Sequence, residues 1–90
     1  MYKLKLTDVA IKSLKKFNHA EQQMIAKKLR YLEENFVVLK DSKKVTELKG
    51  TNYNHYRFVI ARRIRAIFEI QNDKFVLLIL KIGRRKDIYE

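Results

Sequence analysis

The sequence predicts an α+β fold in which an antiparallel sheet packs against an N-terminal helical hairpin, in the order β-α-α-β-β-β with a short further strand at the end. Three observations predict it. Apolar and polar residues alternate over residues 2–6, apolar residues recur at helical intervals over residues 10–36, and runs of aromatic and branched residues follow from residue 53. With 90 residues, no proline and two glycines, we expect a single domain over residues 1–90.

The first strand and first helix are predicted at the N-terminus. Tyr2, Leu4 and Leu6 alternate with two lysines, which is typical of a strand with one buried face. Thr7 or Asp8 is suited to cap the helix that follows. Its apolar stripe consists of Ala10, Ile11, Leu14 and Phe17, and we expect the helix to end near Asn18.

A second, longer helix begins after Asn18. Asn18 and Glu21 have the spacing of a capping box, in which each residue's side chain bonds the other's backbone amide. Apolar residues then follow at helical intervals: Ile25, Leu29, Leu32 and Phe36. Because the joint between the helices is short, both apolar stripes are expected to face the same sheet.

The second half of the chain predicts strands. The three runs are Tyr53 to Ala61, Ile64 to Ile70 and Phe75 to Ile82, and Asn72-Asp73 indicates the turn before the last of them. Residues 75–80 are apolar on both faces, as expected for a central strand. Residues Asp87 to Tyr89 predict a last short strand.

Composition limits the possible functions. The 21 lysines and arginines against 10 acidic residues give a net charge of +11. Such a charge favours a polyanionic partner, of which nucleic acid is the first candidate and an acidic protein the alternative. The chain has no cysteine and two histidines, so we expect no disulfide, no metal and no cofactor. Its apolar runs are too short to span a membrane, and the N-terminus lacks the pattern of a secretory signal, so a cytoplasmic location is expected.

The arginines are concentrated in the second half of the chain. Six of the seven lie between residues 57 and 85, whereas lysine dominates the first half. A guanidinium group matches phosphate oxygens in a two-pronged geometry and keeps its charge when partly desolvated. The distribution therefore predicts a phosphate-binding site in the C-terminal half.

Three local patterns resemble a known family. They are Glu47-Leu48-Lys49-Gly50 before a strand, Arg65-Ala66-Ile67-Phe68-Glu69-Ile70 within one, and Lys81-Ile82-Gly83-Arg84-Arg85-Lys86-Asp87-Ile88-Tyr89 at the end. In this order and spacing, and over nearly the whole chain, they are similar to the RelE/ParE toxin superfamily, in particular to its RelE branch. The predicted fold is accordingly RelE-like.

The resemblance implies a function and partners. It implies a toxin of a type II toxin–antitoxin system that cleaves messenger RNA in the ribosomal A site without a metal, by attack of the ribose 2′-hydroxyl to give a cyclic phosphate. It also implies a RelB-like cognate antitoxin, with operator DNA bound only through the complex. Two alternatives remain open: a ParE-like inhibitor of DNA gyrase with the same fold, and a non-catalytic RNA-binding module.

The resemblance also implies residue roles. Arg65 matches the strand arginine assigned to the scissile phosphate, and Arg85 matches the basic residue after the glycine. Tyr89 matches a terminal tyrosine that stacks on a base or assists proton transfer, and Arg57 matches a basic strand residue. The alternatives are a solvated strand-edge arginine for Arg65 and a hydrophobic plug for Tyr89.

The general base is not assigned by the resemblance. Relatives often carry a second basic residue two positions after Arg57, where this chain has Val59. Glu47 and His55 are the candidates for a base, since arginine is a poor one near neutral pH. Glu47 is equally suited to pair with Lys49 at the surface, and His55 to cap or pack. Contacts to RNA or the ribosome are predicted for a further set: Arg62, Arg63, Arg84, Lys49, Lys81, Lys86 and Tyr56.

Overall fold

The computed structural model of the chain describes residues 1–48 and 55–84. These residues form two helices and five strands. In chain order they are β1 (Lys3–Leu6), α1 (Asp8–Lys15), α2 (His19–Asp41), β2 (Val45–Glu47), β3 (His55–Ala61), β4 (Ile64–Gln71) and β5 (Val76–Arg84).

Both helices begin at the side chains that the sequence indicates. The Thr7 hydroxyl accepts a hydrogen bond from the Ala10 amide, and Asn18 and Glu21 form a complete capping box. Each such cap stabilises a helix by about 1 kcal/mol, because it satisfies a backbone amide that has no partner within the helix. Since Asn18 must be extended to cap α2, α1 ends at Lys15, earlier than the expected Asn18.

The five strands of the described residues form one sheet in the order β1-β5-β4-β3-β2. Strands β3, β4 and β5 form the predicted antiparallel meander, and β2 pairs antiparallel with β3. The N-terminal strand instead pairs parallel with β5, with Leu4 opposite Leu77, so the sheet is mixed. The two helices that follow β1 make this possible, because they carry the chain over the sheet before it returns.

Helices α1 and α2 cover one face of the sheet, α1 mainly over β5 and α2 over β1, β2 and β3. The core lies between the layers and includes the predicted helix residues Ile25, Leu29, Leu32 and Phe36 together with strand residues such as Phe58, Phe68, Leu77 and Ile79. None of the helices in the described residues is both long and apolar enough to cross a membrane.

The predicted α+β class with a helical hairpin on a sheet is confirmed. One strand, β2, was not predicted, since it has three residues of which only Val45 is buried. Ile11, expected on the buried stripe of α1, is 39% exposed, whereas Ala10 on the same helix is fully buried. The strand predicted at Asp87 to Tyr89 and the start of the run at Tyr53 lie outside the described residues.

Candidate nucleic-acid interface

The sheet has a second face, opposite α1 and α2, which we call the distal face. Residues directly opposite each other in a ladder share a face, and alternate residues along a strand share it too. The β3–β4 ladder pairs His55 with Glu69, Arg57 with Ile67, and Val59 with Arg65. Since Phe58 and Phe68 face the helices, these three pairs lie on the distal face.

Arg65 lies on this face and is partly buried. Its Nε and Nη1 atoms are shielded from solvent and form no hydrogen bond within residues 1–48 and 55–84. Leaving a buried polar group unbonded costs about 1–3 kcal/mol, and more when the group is charged. The position opposite Arg65 on β5 is Gly83, which has no side chain to cover the guanidinium. An anion that hydrogen-bonds to these atoms would offset this cost.

Two further cations lie close to Arg65. Arg57 on β3 and Lys81 on β5 are both opposite Ile67, which is two residues from Arg65 along β4. Both side chains are partly buried. Three positive side chains thus share the distal face around the buried Ile67, and this density of positive charge suits a phosphodiester.

An imidazole and a carboxylate adjoin the cations. The His55 Nε2 atom lies 4.0 Å from Glu69 Oε1, and the two side chains are 28% and 31% exposed. The other carboxylate oxygen, Oε2, accepts a hydrogen bond of 3.0 Å from Gln71 Nε2. The distal face therefore combines groups that bind an anion with a group type that transfers protons.

Tyr56 and Glu47 lie on the other face of the sheet. The Tyr56 ring stacks on Phe68, with centroids 5.9 Å apart at 28°, and Lys40 Nζ lies 5.8 Å from its centroid. Glu47 is opposite Tyr56 in the β2–β3 ladder and is exposed. The structure therefore does not bring these two predicted site residues together with Arg57 and Arg65.

The remaining predicted arginines are spread over the surface. Arg62 and Arg63 form the exposed turn between β3 and β4. Arg84 forms a 3.0 Å ion pair with Glu21 and lies 5.2 Å from the centroid of the Phe17 ring. Four other predicted residues lie outside the described part of the chain: Lys49, Arg85, Lys86 and Tyr89.

Glu69 and Gln71 carry no role in the sequence-based prediction. Their spacing from Arg65 by four and six residues is the signal that puts all three on one face of a strand. The spacing does not predict the register between β4 and β3, and it is this register that puts Glu69 opposite His55. Across the described residues, no three histidine, aspartate or glutamate side chains are grouped so that they could hold a metal ion.

A protein-family model matches residues 4–89, nearly the whole chain, and describes the ParE toxin of the type II toxin–antitoxin system parDE. The chain belongs to the ParE toxin family. The RelE/ParE superfamily, predicted from three sequence patterns, is thereby confirmed. No curated protein sequence matches the toxin.

Solved structures of related toxins have the same fold as this toxin. The RelE–RelB complex of Pyrococcus horikoshii OT3 contains a chain 24% identical, with a TM-score of 0.71 over 93% of the toxin and 94% of that chain. The RelBE2 toxin–antitoxin complex of Mycobacterium tuberculosis gives 13% identity and a TM-score of 0.72, over 93% and 98% of the two chains. YafQ of E. coli strain BL21(DE3) is 13% identical, with a TM-score of 0.69 over the full length of both chains. At these identities the similarity establishes the RelE-like fold.

Proposed function

We propose that the toxin is an endoribonuclease that cleaves messenger RNA in the ribosomal A site and so inhibits translation. The observation that carries the proposal is that two shielded nitrogens of Arg65, Nε and Nη1, form no hydrogen bond in the described residues, with Arg57 and Lys81 beside them. A phosphodiester supplies the oxygen acceptors that Arg65 lacks, and the cations stabilise the negative charge that develops at phosphorus during cleavage.

The proposed reaction needs no metal. The ribose 2′-oxygen attacks the adjacent phosphorus, the bond to the 5′-oxygen breaks, and the products are a 2′,3′-cyclic phosphate and a 5′-hydroxyl. Arg65 and Arg57 act as the charged donors to the phosphate in place of a cation cofactor. Arg85 and Tyr89, which match family residues in sequence, are assigned to the same site, Arg85 to the phosphate and Tyr89 to base stacking or proton transfer.

The basic surface beyond the site is proposed to dock on the ribosome. The exposed turn that contains Arg62 and Arg63 joins the ends of the two strands that carry Arg57 and Arg65. Contacts of this kind need charge rather than detailed geometry, because each neutralised phosphate releases bound counterions. We assign the turn to ribosomal RNA and place the toxin in the cytoplasm, where ribosomes are found.

A cognate antitoxin is the proposed protein partner. One of the similar structures is described as a toxin–antitoxin complex and another as a complex of RelE with RelB. The net charge of +11 favours an acidic segment as the inhibitor, and such a segment would supply carboxylates to the cations of the distal face. The resulting complex is proposed to bind operator DNA through the antitoxin.

Gyrase inhibition is the second candidate function. The family model that matches the chain describes a ParE toxin, and the sequence resemblance associates the ParE branch with DNA gyrase. The distal-face cations favour the ribonuclease, because a protein that inhibits gyrase by docking has no need of a shielded guanidinium.

The test is primer extension on a defined message in a purified translation system, with a gyrase supercoiling assay in parallel. The proteins are wild type, Arg65→Ala and the control Arg30→Ala, which removes an exposed arginine of α2. We expect discrete cuts in the A-site codon from wild type and Arg30→Ala, and at least a 100-fold slower reaction from Arg65→Ala, comparable to the loss of one transition-state donor, about 10²–10³.

The ends of the cleaved RNA test the mechanism. A 2′,3′-cyclic phosphate indicates attack by the 2′-oxygen, whereas a 3′-hydroxyl with a 5′-phosphate indicates attack by water and contradicts the proposed route. An intact message together with inhibited supercoiling supports the second candidate. Salt-sensitive RNA binding with neither activity contradicts both and leaves an RNA-binding module.

A further inference from the structure

The distal face carries a pair of neighbouring side chains, the imidazole of His55 and the carboxylate of Glu69. The two residues lie directly opposite each other in the β3–β4 ladder, and His55 Nε2 is 4.0 Å from Glu69 Oε1. That separation is too long for a hydrogen bond, but the groups are close enough to meet after a small rotation of either side chain. In many enzymes the hydrogen bonds of an acid–base pair tighten only once substrate binds.

Glu69 is itself held in place. Gln71 Nε2 donates a 3.0 Å hydrogen bond to Glu69 Oε2, and both residues lie on the same face of β4. This bond fixes one carboxylate oxygen and leaves the other directed at the imidazole. The order Gln71, Glu69, His55 matches the general arrangement in which a proton-transferring side chain is oriented by a second group.

The pair lies within reach of the proposed phosphate site. On β3, His55 and Arg57 are two residues apart and share the distal face, and on β4 Glu69 and Arg65 are four residues apart. At about 3.3 Å per residue the Cα atoms of Glu69 and Arg65 are separated by roughly 13 Å. Arg57 lies on the same face between His55 and the position opposite Arg65, so the phosphate next to a ribose that contacts His55 would lie beside Arg57.

We propose that His55 is the general base of the ribonuclease reaction and that Glu69 is its positioning residue. With Nε2 directed at Glu69, Nδ1 is the nitrogen that accepts the proton of the ribose 2′-hydroxyl. The 2′-oxygen forms its bond to phosphorus as the bond to the 5′-oxygen breaks. The departing 5′-oxygen takes a proton from solvent water, and the imidazolium returns its proton to the hydroxide left behind. This inference rests on the proposed function and completes it, since Glu47, the other candidate base, lies on the opposite face.

The test measures single-turnover cleavage of ribosome-bound message by wild type, His55→Ala, His55→Gln and the matched control His19→Ala. His19 is exposed at the start of α2, away from the sheet face that holds Arg65. General base catalysis is worth about 10²–10⁴-fold, so we expect a loss of at least 100-fold in both His55 variants and none in the control. Added imidazole is expected to restore part of the rate to His55→Ala but not to Arg65→Ala.

A second set of variants tests Glu69. Glu69→Asp keeps the carboxylate and Glu69→Gln removes its charge while keeping its shape. If Glu69 orients His55, the Gln variant is expected to be about tenfold slower and the Asp variant faster than the Gln variant. A merely structural role predicts the reverse, because Gln preserves the packing and Asp does not. Circular dichroism and thermal unfolding establish that each variant is folded.

The outcomes separate this inference from the proposed function. If the wild-type toxin leaves the message intact, the proposed ribonuclease activity is wrong, and so is the assignment of any residue as its general base. Wild type that cleaves, with Arg65→Ala inactive and His55→Gln at the wild-type rate, contradicts His55 alone. Loss of activity in both His55 variants with rescue by imidazole supports it, and loss without rescue while Glu69→Gln remains fully active overturns it.

Discussion

Arg57 and Arg65 are diagonal neighbours on one face of the sheet, because Arg57 lies opposite Ile67 and Arg65 lies two residues from Ile67 along β4. Diagonal positions of an antiparallel pair are about 7–8 Å apart. Both side chains are long and positively charged, so one phosphate that lies between them can accept hydrogen bonds from both guanidinium groups.

Replacing Arg65 by an apolar residue is expected to stabilise the free toxin. Arg65→Met removes a guanidinium whose Nε and Nη1 atoms have no partner in the described residues, and keeps most of the side-chain volume. We expect the free energy of unfolding to rise by about 1–2 kcal/mol, the cost of an unsatisfied buried polar group. Thermal unfolding measures it, since 1 kcal/mol corresponds to about 4–8 °C for a domain of this size.

The matched control for this prediction is Arg62→Met, in the exposed turn next to the same strand. Surface substitutions of this kind change stability by no more than about 0.5 kcal/mol. If Arg65→Met unfolds at a lower temperature than Arg62→Met, the guanidinium contributes to stability in the free toxin and the interpretation of Arg65 as an unsatisfied group is wrong.

Inorganic phosphate is expected to stabilise the wild type through Arg65. A ligand that binds only the folded state at ten times its Kd stabilises it by about 1.4 kcal/mol. The melting temperature is therefore expected to rise with phosphate concentration in wild type and to rise much less in Arg65→Met. Sodium chloride at equal ionic strength is the control, because general screening acts on both proteins alike. An equal phosphate effect in both proteins would place the anion elsewhere.

Local patterns in the sequence were sufficient to predict the helices. The capping box of Asn18 and Glu21 and the periodicity from Ile25 to Phe36 depend on residues three or four apart, and both are present. Strand β2 and the parallel pairing of β1 with β5 were missed. The first has a single buried residue, Val45, and the second joins residues more than seventy positions apart, as in Lys3 opposite Val76, which no local pattern encodes.

The candidate site shows the same limit. Arg57 and Arg65 were identified by resemblance, and the ladder puts them on one face. The position of Tyr56 could have been predicted, because Tyr56, Phe58 and Ile60 are apolar at every second residue and so face the core. The contact of His55 with Glu69 could not, because it depends on the register of two strands and on the bulge between Val59 and Ala61.

Removing the carboxylate of Glu33 is expected to destabilise the sheet edge. Glu33 Oε2 accepts a 2.7 Å hydrogen bond from the Leu4 amide, which lies on the side of β1 away from β5. Hydrogen bonds to charged groups contribute about 1.5–3 kcal/mol. We therefore expect Glu33→Ala to lower the free energy of unfolding by about 1.5 kcal/mol in urea denaturation.

The neighbouring Glu34 provides the control for Glu33. Glu34 is exposed on the same helix, and Glu34→Ala makes the same change in charge and in helix propensity. We expect it to alter stability by less than about 0.5 kcal/mol. Equal effects of the two substitutions would mean that the contribution comes from the helix or from net charge, and not from the bond to β1.

Lys43 is expected to be replaceable by glycine with a gain in stability. Its φ of 63° lies in the left-handed region, directly after the C-cap Ser42 of α2. The Lys44 amide donates to the Leu39 carbonyl at 2.9 Å and the Lys43 amide to the Lys40 carbonyl at 3.2 Å, which is the Schellman pattern, in which glycine is the usual residue. The left-handed conformation costs a residue with a Cβ about 1–2 kcal/mol. Part of this gain is offset by the greater freedom of glycine in the unfolded chain, so Lys43→Gly is expected to raise the free energy of unfolding by about 1 kcal/mol.

Lys44→Gly is the control, because it makes the same change one residue later at a position without positive φ. It is expected to lower the free energy of unfolding. A loss of stability in Lys43→Gly equal to that in Lys44→Gly would show that the backbone at residue 43 is not strained.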